Sequence, residues 1–236
     1  MTNDVPLGRQ QPVDSIDGYF DRWAQLHGGV DPRDSWLVRG WLTVAYRCAK
    51  PLTALGLSPN GVTVVGVLVA VMVPVLAWFG SATSSPGWLW GALLVTVLSG
   101  LLDNLDGAVA VITGHTSRAG YVFDSVADRL SDVALLAALW VVGAPGPLVA
   151  CAVLLGFLQE YARARSAAAG VSEVGVVSIS ERPTRVVIVA VFLGLCAWAP
   201  YGVTPASWAT YGACLAAAVA LIGLVQVSVA LARRLR

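Results

Sequence analysis

Long apolar runs alternate with short polar connectors along most of this chain. A helix needs about 20 predominantly apolar residues to cross a bilayer core. Six runs meet that length and predict spanning helices at 61–80, 86–111, 120–143, 146–168, 184–203 and 207–231. The connectors FGSATSSPG, TGHTS, GAPG, GVSEVGVVSISERP and APYGVTPAS are rich in Gly, Pro and Ser, the residues of turns. Ahead of the spans the pattern changes. Residues 1–33 are polar and read as a cytosolic tail, with a short amphipathic helix within DGYFDRWAQLHGG. Residues 34–56 mix Trp36, Leu37, Trp41, Leu42 and Tyr46 with Arg39, Arg47 and Lys50. That mixture, with Asp34 as N-cap, predicts a helix lying in the membrane interface. The expected architecture is all-α and integral to the membrane. A tail (1–33) and a juxtamembrane amphipathic helix (34–56) precede a six-helix domain (57–236).

Charge placement orients the spans. The connectors near 81–86, 143–147 and 200–206 hold no Lys or Arg. The alternate ones hold Arg118, then Arg163, Arg165, Arg182 and Arg185, and the chain closes on Arg233, Arg234 and Arg236. By the positive-inside rule both termini face the cytoplasm. Composition agrees: 57% of residues are hydrophobic and only 12% charged, against about 25% charged in soluble domains. The polar start shows no cleavable leader. Cys48, Cys151, Cys196 and Cys214 form no metal-binding spacing and read as small hydrophobes. Trp88, Trp90, Trp140, Trp198, Tyr201 and Trp208 sit near span ends, where interfacial aromatics belong.

One stretch breaks the apolar pattern: LLDNLDGAVAVITGHTSRAGYVFDSVADRLSD, residues 101–132. Asp103 and Asp106 are spaced i, i+3, and Asp124 and Asp128 i, i+4, so each pair shares one face of its helix. The turn between them centres on His115, and an antiparallel hairpin predicts all four carboxylates at one level. A charge deep in a bilayer costs about 2.5–3.5 kcal/mol, and like charges raise one another's pKa. No basic residue lies between Asp103 and Arg118. Hard divalent cations solve the problem, and two would balance four carboxylates. Mg²⁺ favours a few carboxylates plus substrate phosphates, so a phosphate-bearing substrate is expected. Asp132 reads as a hydrogen-bond acceptor behind this set, and Glu160 as a salt-bridge partner of a nearby arginine.

The pattern Asp103-x-x-Asp106-Gly107-x-x-Ala110, followed by Gly120-x-x-x-Asp124-x-x-x-Asp128, resembles the signature of the CDP-alcohol phosphotransferases. The resemblance covers residues 34–236. It implies a six-helix membrane enzyme, working as a homodimer, in which an acceptor hydroxyl displaces CMP from a CDP-linked lipid. It implies two divalent cations, Mg²⁺ or Mn²⁺, held by Asp103, Asp106, Asp124 and Asp128, with Asp128 also the general base. Asn60, Thr63, Gly107, Ser117 and Gly120 match nucleotide-side positions. The implied location is the bacterial cytoplasmic membrane, with the site facing the cytoplasm. The partners expected are CDP-diacylglycerol or another CDP-alcohol, a small polar acceptor and membrane lipids, with no nucleic acid. One position departs: Val111 stands where the pattern has an arginine that contacts the nucleotide. Either Arg118 or Arg129 substitutes, or the nucleotide is held differently, or the chain is a weak or inactive paralogue.

Two further segments bear on the acceptor. Tyr161-Ala-Arg163-Ala-Arg165 and Glu181-Arg182-Pro183-Thr184-Arg185 are similar to segments of bacterial phosphatidylinositol-phosphate synthases. That resemblance implies that Arg163 and Arg185 bind a phosphate on the acceptor, inositol phosphate first and glycerol phosphate next. The rival reading is a cation transporter, since intramembrane aspartates also mark ion paths.

Overall fold

The computed structural model describes residues 8–9, 11–26, 29–170 and 178–234. Apart from a two-residue antiparallel pairing of β1 (Gly8–Arg9) with β2 (His115–Thr116), its regular structure is helical. The helices are α1 (Ile16–Leu26), α2 (Trp36–Ala54), α3 (Pro59–Thr83), α4 (Pro86–Thr113), α5 (Arg118–Val142), α6 (Gly146–Ala168), α7 (Arg182–Trp198) and α8 (Pro205–Arg234). α2 occupies the stretch expected for the juxtamembrane helix, and α3 to α8 match the six apolar runs to within a few residues.

The helix ends follow local chemistry. Ser58 caps α3, its hydroxyl accepting from the Gly61 N–H at 3.1 Å, and Pro59 takes the first helical position. Ser117 caps α5 in the same way, accepting from the Gly120 N–H at 3.0 Å. Gly114, at φ 68°, turns the chain out of α4 in the left-handed conformation that glycine adopts without strain. Four residues therefore separate the two aspartate-bearing helices. The fifth apolar run ends earlier than its hydrophobicity predicts, at Trp198 rather than 203. Pro200 lacks the N–H needed to continue, and Ala199 before it adopts φ 45°.

Among the described residues, α3, α4 and α8 are long and apolar enough to cross a membrane. α5 carries Asp124, Asp128, Arg129 and Asp132, and α7 has only 17 residues. The apolar helices α3, α4 and α8 make the chain a multi-pass membrane protein.

Two compact units share these helices through the continuity of α3, α4 and α5. The first comprises residues up to Val67 and Gly100–Asp128. Its core joins Tyr19 and Phe20 of α1, Leu42, Ala45, Tyr46 and Ala49 of α2, Val62 of α3, and Leu105, Ala108, Val109, Val111 and Ile112 of α4. The stretch expected as a cytosolic tail with a short amphipathic helix contributes two buried aromatics. The second unit comprises Leu68–Ser99 and Arg129–Arg236. Its core holds Val73, Leu135, Leu139, Val189 and Leu193, with α8 packed along α6 and α7. Small residues permit that packing: a Cβ at Gly223 would fall 2.6 Å from Gln159 Oε1 and one at Gly212 2.7 Å from the Phe192 ring.

Candidate active site

Helical periodicity places Asp103 and Asp106 on one face near the end of α4, and Asp124 near the start of α5. The short turn then brings the two faces together. One carboxylate oxygen from each of Asp103, Asp106 and Asp124 lies within 4.8 Å of the others. Asp106 is buried, and the other two are partly so. Both oxygens of Asp106 are oriented: Oδ2 accepts from the Thr63 hydroxyl at 2.8 Å and Oδ1 from the Gly107 N–H at 2.6 Å. Three hard oxygen donors so close together, one of them already aimed, suit a divalent cation of the Mg²⁺ or Mn²⁺ type.

Of the four carboxylates expected to come together, three lie within this distance of one another. Asp128 lies one turn beyond Asp124, partly buried, and outside the group.

Of the positions matched to the nucleotide, Thr63 and Gly107 touch Asp106, and three others adjoin one another. A Cβ on Gly120 would meet Ser117 Oγ at 3.0 Å and Asn60 Oδ1 at 3.3 Å, so these three residues adjoin one another. Gly107 is exposed, and a Cβ there would meet nothing within 4 Å. Open space therefore lies beside the best-ordered carboxylate. Thr63 hydrogen-bonds to Asp106 and to the Pro59 carbonyl, at 2.8 and 3.1 Å.

A sequence model of the CDP-alcohol phosphatidyltransferases matches residues 57–231. The chain belongs to this family. As a CDP-alcohol phosphatidyltransferase it is a transferase of phospholipid synthesis. It is 37% identical over 155 residues to the phosphatidylinositol phosphate synthase of Mycolicibacterium smegmatis, covering 62% of this chain and 66% of that protein. Against the archaetidylinositol phosphate synthase of Pyrococcus horikoshii it is 31% identical over 176 residues, 70% of this chain and 85% of that one. Among solved structures it resembles the phosphatidylinositol phosphate synthase of Mycobacterium tuberculosis. With CDP-DAG bound, that structure gives a TM-score of 0.63 at 28% identity, covering 80% of this chain and 94% of that one. In complex with manganese and citrate, it gives a TM-score of 0.63 at 29% identity, covering 79% and 88%.

The departure at Val111 has a structural counterpart that sequence reading missed. Val111 is buried in the first unit's core, and its carbonyl accepts from Arg22 Nη1 of α1 at 3.2 Å. The guanidinium that bonds this position therefore comes from outside the family match. Arg129, a substitute expected from sequence, is engaged elsewhere, pairing with Asp132 at 3.3 Å and Glu160 at 3.7 Å. Arg118, the other, begins α5 and is exposed.

The second unit of this transferase carries a chain of alternating charges. Arg185 pairs with Asp132 at 3.2 Å, and Asp132 pairs in turn with Arg129. Glu160 links Arg129 to Arg163, and Arg163 grips Glu181 through both guanidinium nitrogens at 2.6 and 3.2 Å. Three arginines and three carboxylates from α5, α6, α7 and the residue before α7 thus neutralise one another. Glu181 precedes α7. Burial pushes its carboxyl up, but the Arg163 hydrogen bonds and the Ser178 N–H outweigh it and hold Glu181 below the usual range. Arg185 is also anchored by the Ser180 carbonyl at 3.2 Å, and Gly156 leaves room beside it.

Proposed function

We propose that this family member transfers the phosphatidyl group of CDP-diacylglycerol to a hydroxyl of inositol phosphate, releasing CMP. The observation that carries this is the three-carboxylate group on the Asp103–Asp128 hairpin, with open space beside Gly107. The relatives' names support the acceptor, and the CDP-DAG and manganese in the M. tuberculosis structures support donor and metal. Glycerol phosphate is the next acceptor to try.

Asp103, Asp106 and Asp124 hold divalent cations in this reading, two of them with Asp128 as the further ligand. Bound there, they supply charge stabilisation for the diphosphate and for the phosphate leaving with CMP. Thr63 and Gly107 fix the direction of Asp106. Asn60, Ser117 and Gly120 form the nucleotide side, where the absence of side-chain bulk at Gly107 and Gly120 admits a flat base or ribose. Asp128 takes the proton from the acceptor hydroxyl as its oxygen attacks the phosphorus. That attack breaks the bond to the CMP oxygen.

Arg163 and Arg185 are assigned the acceptor's phosphate. Each is held extended by carboxylates, so a phosphate exchanges one anionic partner for another without first ordering a flexible side chain. The reading also includes six spans with both termini cytoplasmic, a site facing the cytoplasm of a bacterial inner membrane, and a homodimer.

The test is CMP release by the purified full-length protein with CDP-diacylglycerol and Mn²⁺ or Mg²⁺. Inositol phosphate, glycerol phosphate, inositol and serine are compared as acceptors. Release specific to inositol phosphate, lost in Asp128→Asn, supports the proposal. CMP release with none of them, alongside ion flux in liposomes, overturns it.

A further inference from the structure

The last four carbonyls of an α-helix have no partner within the helix, and its C-terminus carries partial negative charge. α4 ends only a few residues beyond Asp106, and its end is met by the N-terminal segment. The Arg22 guanidinium donates to the Val111 carbonyl at 3.2 Å, and the Val13 N–H donates to the Ile112 carbonyl at 2.8 Å. The same Arg22 nitrogen donates to the Gln11 carbonyl at 2.6 Å, which ties the segment's extended part to α1. Just beyond α4, Gly8 and Arg9 pair with Thr116 and His115 in the turn itself.

The segment is itself fixed. Tyr19 and Phe20 are 2% and 4% exposed and belong to the core that includes Ala108, Val109, Val111 and Ile112. The Tyr46 hydroxyl donates to the Asp14 carbonyl at 2.9 Å, fastening the segment to α2. Arg33 pairs with both Asp17 and Asp21 of α1, at 3.2 and 2.9 Å, and stacks over Phe20. The segment that makes these contacts lies outside the 57–231 stretch that the family shares.

We infer that residues 8–9 and 11–26 form a brace for the aspartate hairpin, and that Arg22 is a positioning residue that sets the end of α4 and thereby the metal-binding carboxylates. Val111 and Ile112 follow Asp106 by five and six residues, so a displacement at these carbonyls is passed rigidly along about one and a half turns of helix. Ligand groups must be held within about 0.5 Å of their working positions. A segment gripping both α4's end and the turn to α5 controls the spacing between Asp106 and Asp124. This inference rests on the proposed metal site.

The test is Mn²⁺ binding, followed by electron paramagnetic resonance on the purified full-length protein without substrate. Wild type, Asp106→Asn, Arg22→Ala and Arg22→Gln are compared, with a thermal melt and gel filtration for each. Asp106→Asn is expected to lose Mn²⁺ binding. Arg22→Ala, folded and eluting as wild type, is expected to bind Mn²⁺ about tenfold more weakly, as when a group supporting a metal ligand is removed. Arg22→Gln, which keeps a donor without the charge, falls between and decides the matter if Arg22→Ala does not fold. Wild-type Mn²⁺ affinity in the folded Arg22 variant overturns this inference alone. A wild-type protein that binds no Mn²⁺ overturns the proposed metal site and this inference with it.

Discussion

The hydroxyl of Thr63, on α3, lies 2.8 Å from Oδ2 of Asp106, on α4. Their partnership joins helices that begin 27 residues apart and leaves the carboxylate with one orientation. Thr63→Val keeps the shape and removes the donor. Asp106 then keeps its charge but loses its aim, so Mn²⁺ affinity should fall roughly tenfold. Calorimetric or spectroscopic Mn²⁺ titration would show it. An unchanged affinity would mean that the Gly107 N–H alone suffices.

Gly107 separates folding from function. A methyl there meets no atom within 4 Å, and glycine inside a helix is unfavourable by about 1 kcal/mol relative to alanine. Gly107→Ala should therefore melt higher than wild type. If the space beside Asp106 is where the CDP-alcohol lies, the same variant should raise KM for CDP-diacylglycerol about tenfold, equivalent to roughly 1.4 kcal/mol. Higher stability with unaltered KM would move the nucleotide elsewhere.

The second unit's ion-pair chain predicts a pH dependence. Glu181 is held below the usual carboxylate range when folded, so its contribution is complete above its unfolded pKa of about 4.3. It is lost as pH falls through the lower folded value. Melting temperatures of wild type and Glu181→Gln, compared from pH 7 downward, should differ by a constant amount until the ordinary Glu range. Below it the two should converge. At pH 7 the gap should correspond to about 1–2 kcal/mol, the scale of hydrogen bonds to charged groups with partial exposure. A gap that widens in acid would contradict the assignment.

The sequence exposed features governed by short-range periodicity. Asp103, Asp106 and Asp124 converge because three- and four-residue spacings fix a helix face and a short turn fixes an antiparallel hairpin. Glu160 pairs with Arg163, three residues on, as local spacing suggests. Relationships set by tertiary packing were hidden. Arg22 and Val111 stand 89 residues apart, and no periodicity links a polar N-terminal stretch to the end of a membrane helix. The early end of α7 was visible only as Ala199-Pro200, a steric signal inside a run that hydrophobicity alone extends.

Val111 provides the most discriminating experiment. Restoring the family's arginine looks like a repair, yet residue 111 is 6% exposed and its carbonyl already receives Arg22. Val111→Arg would bury a second guanidinium beside the first with no carboxylate in the described contacts of either. The single variant should lose about 3 kcal/mol, the scale of an uncompensated buried charge. Removing Arg22 relieves the repulsion and frees space. Arg22→Ala combined with Val111→Arg should therefore recover at least about 1 kcal/mol relative to additive losses, within the usual coupling of contacting residues. The measurement is a double-mutant cycle on unfolding in detergent, with CMP release recorded for each corner. Strict additivity would show that the two guanidinium groups occupy separate places, and Val111 would then be a substitution without compensation from α1.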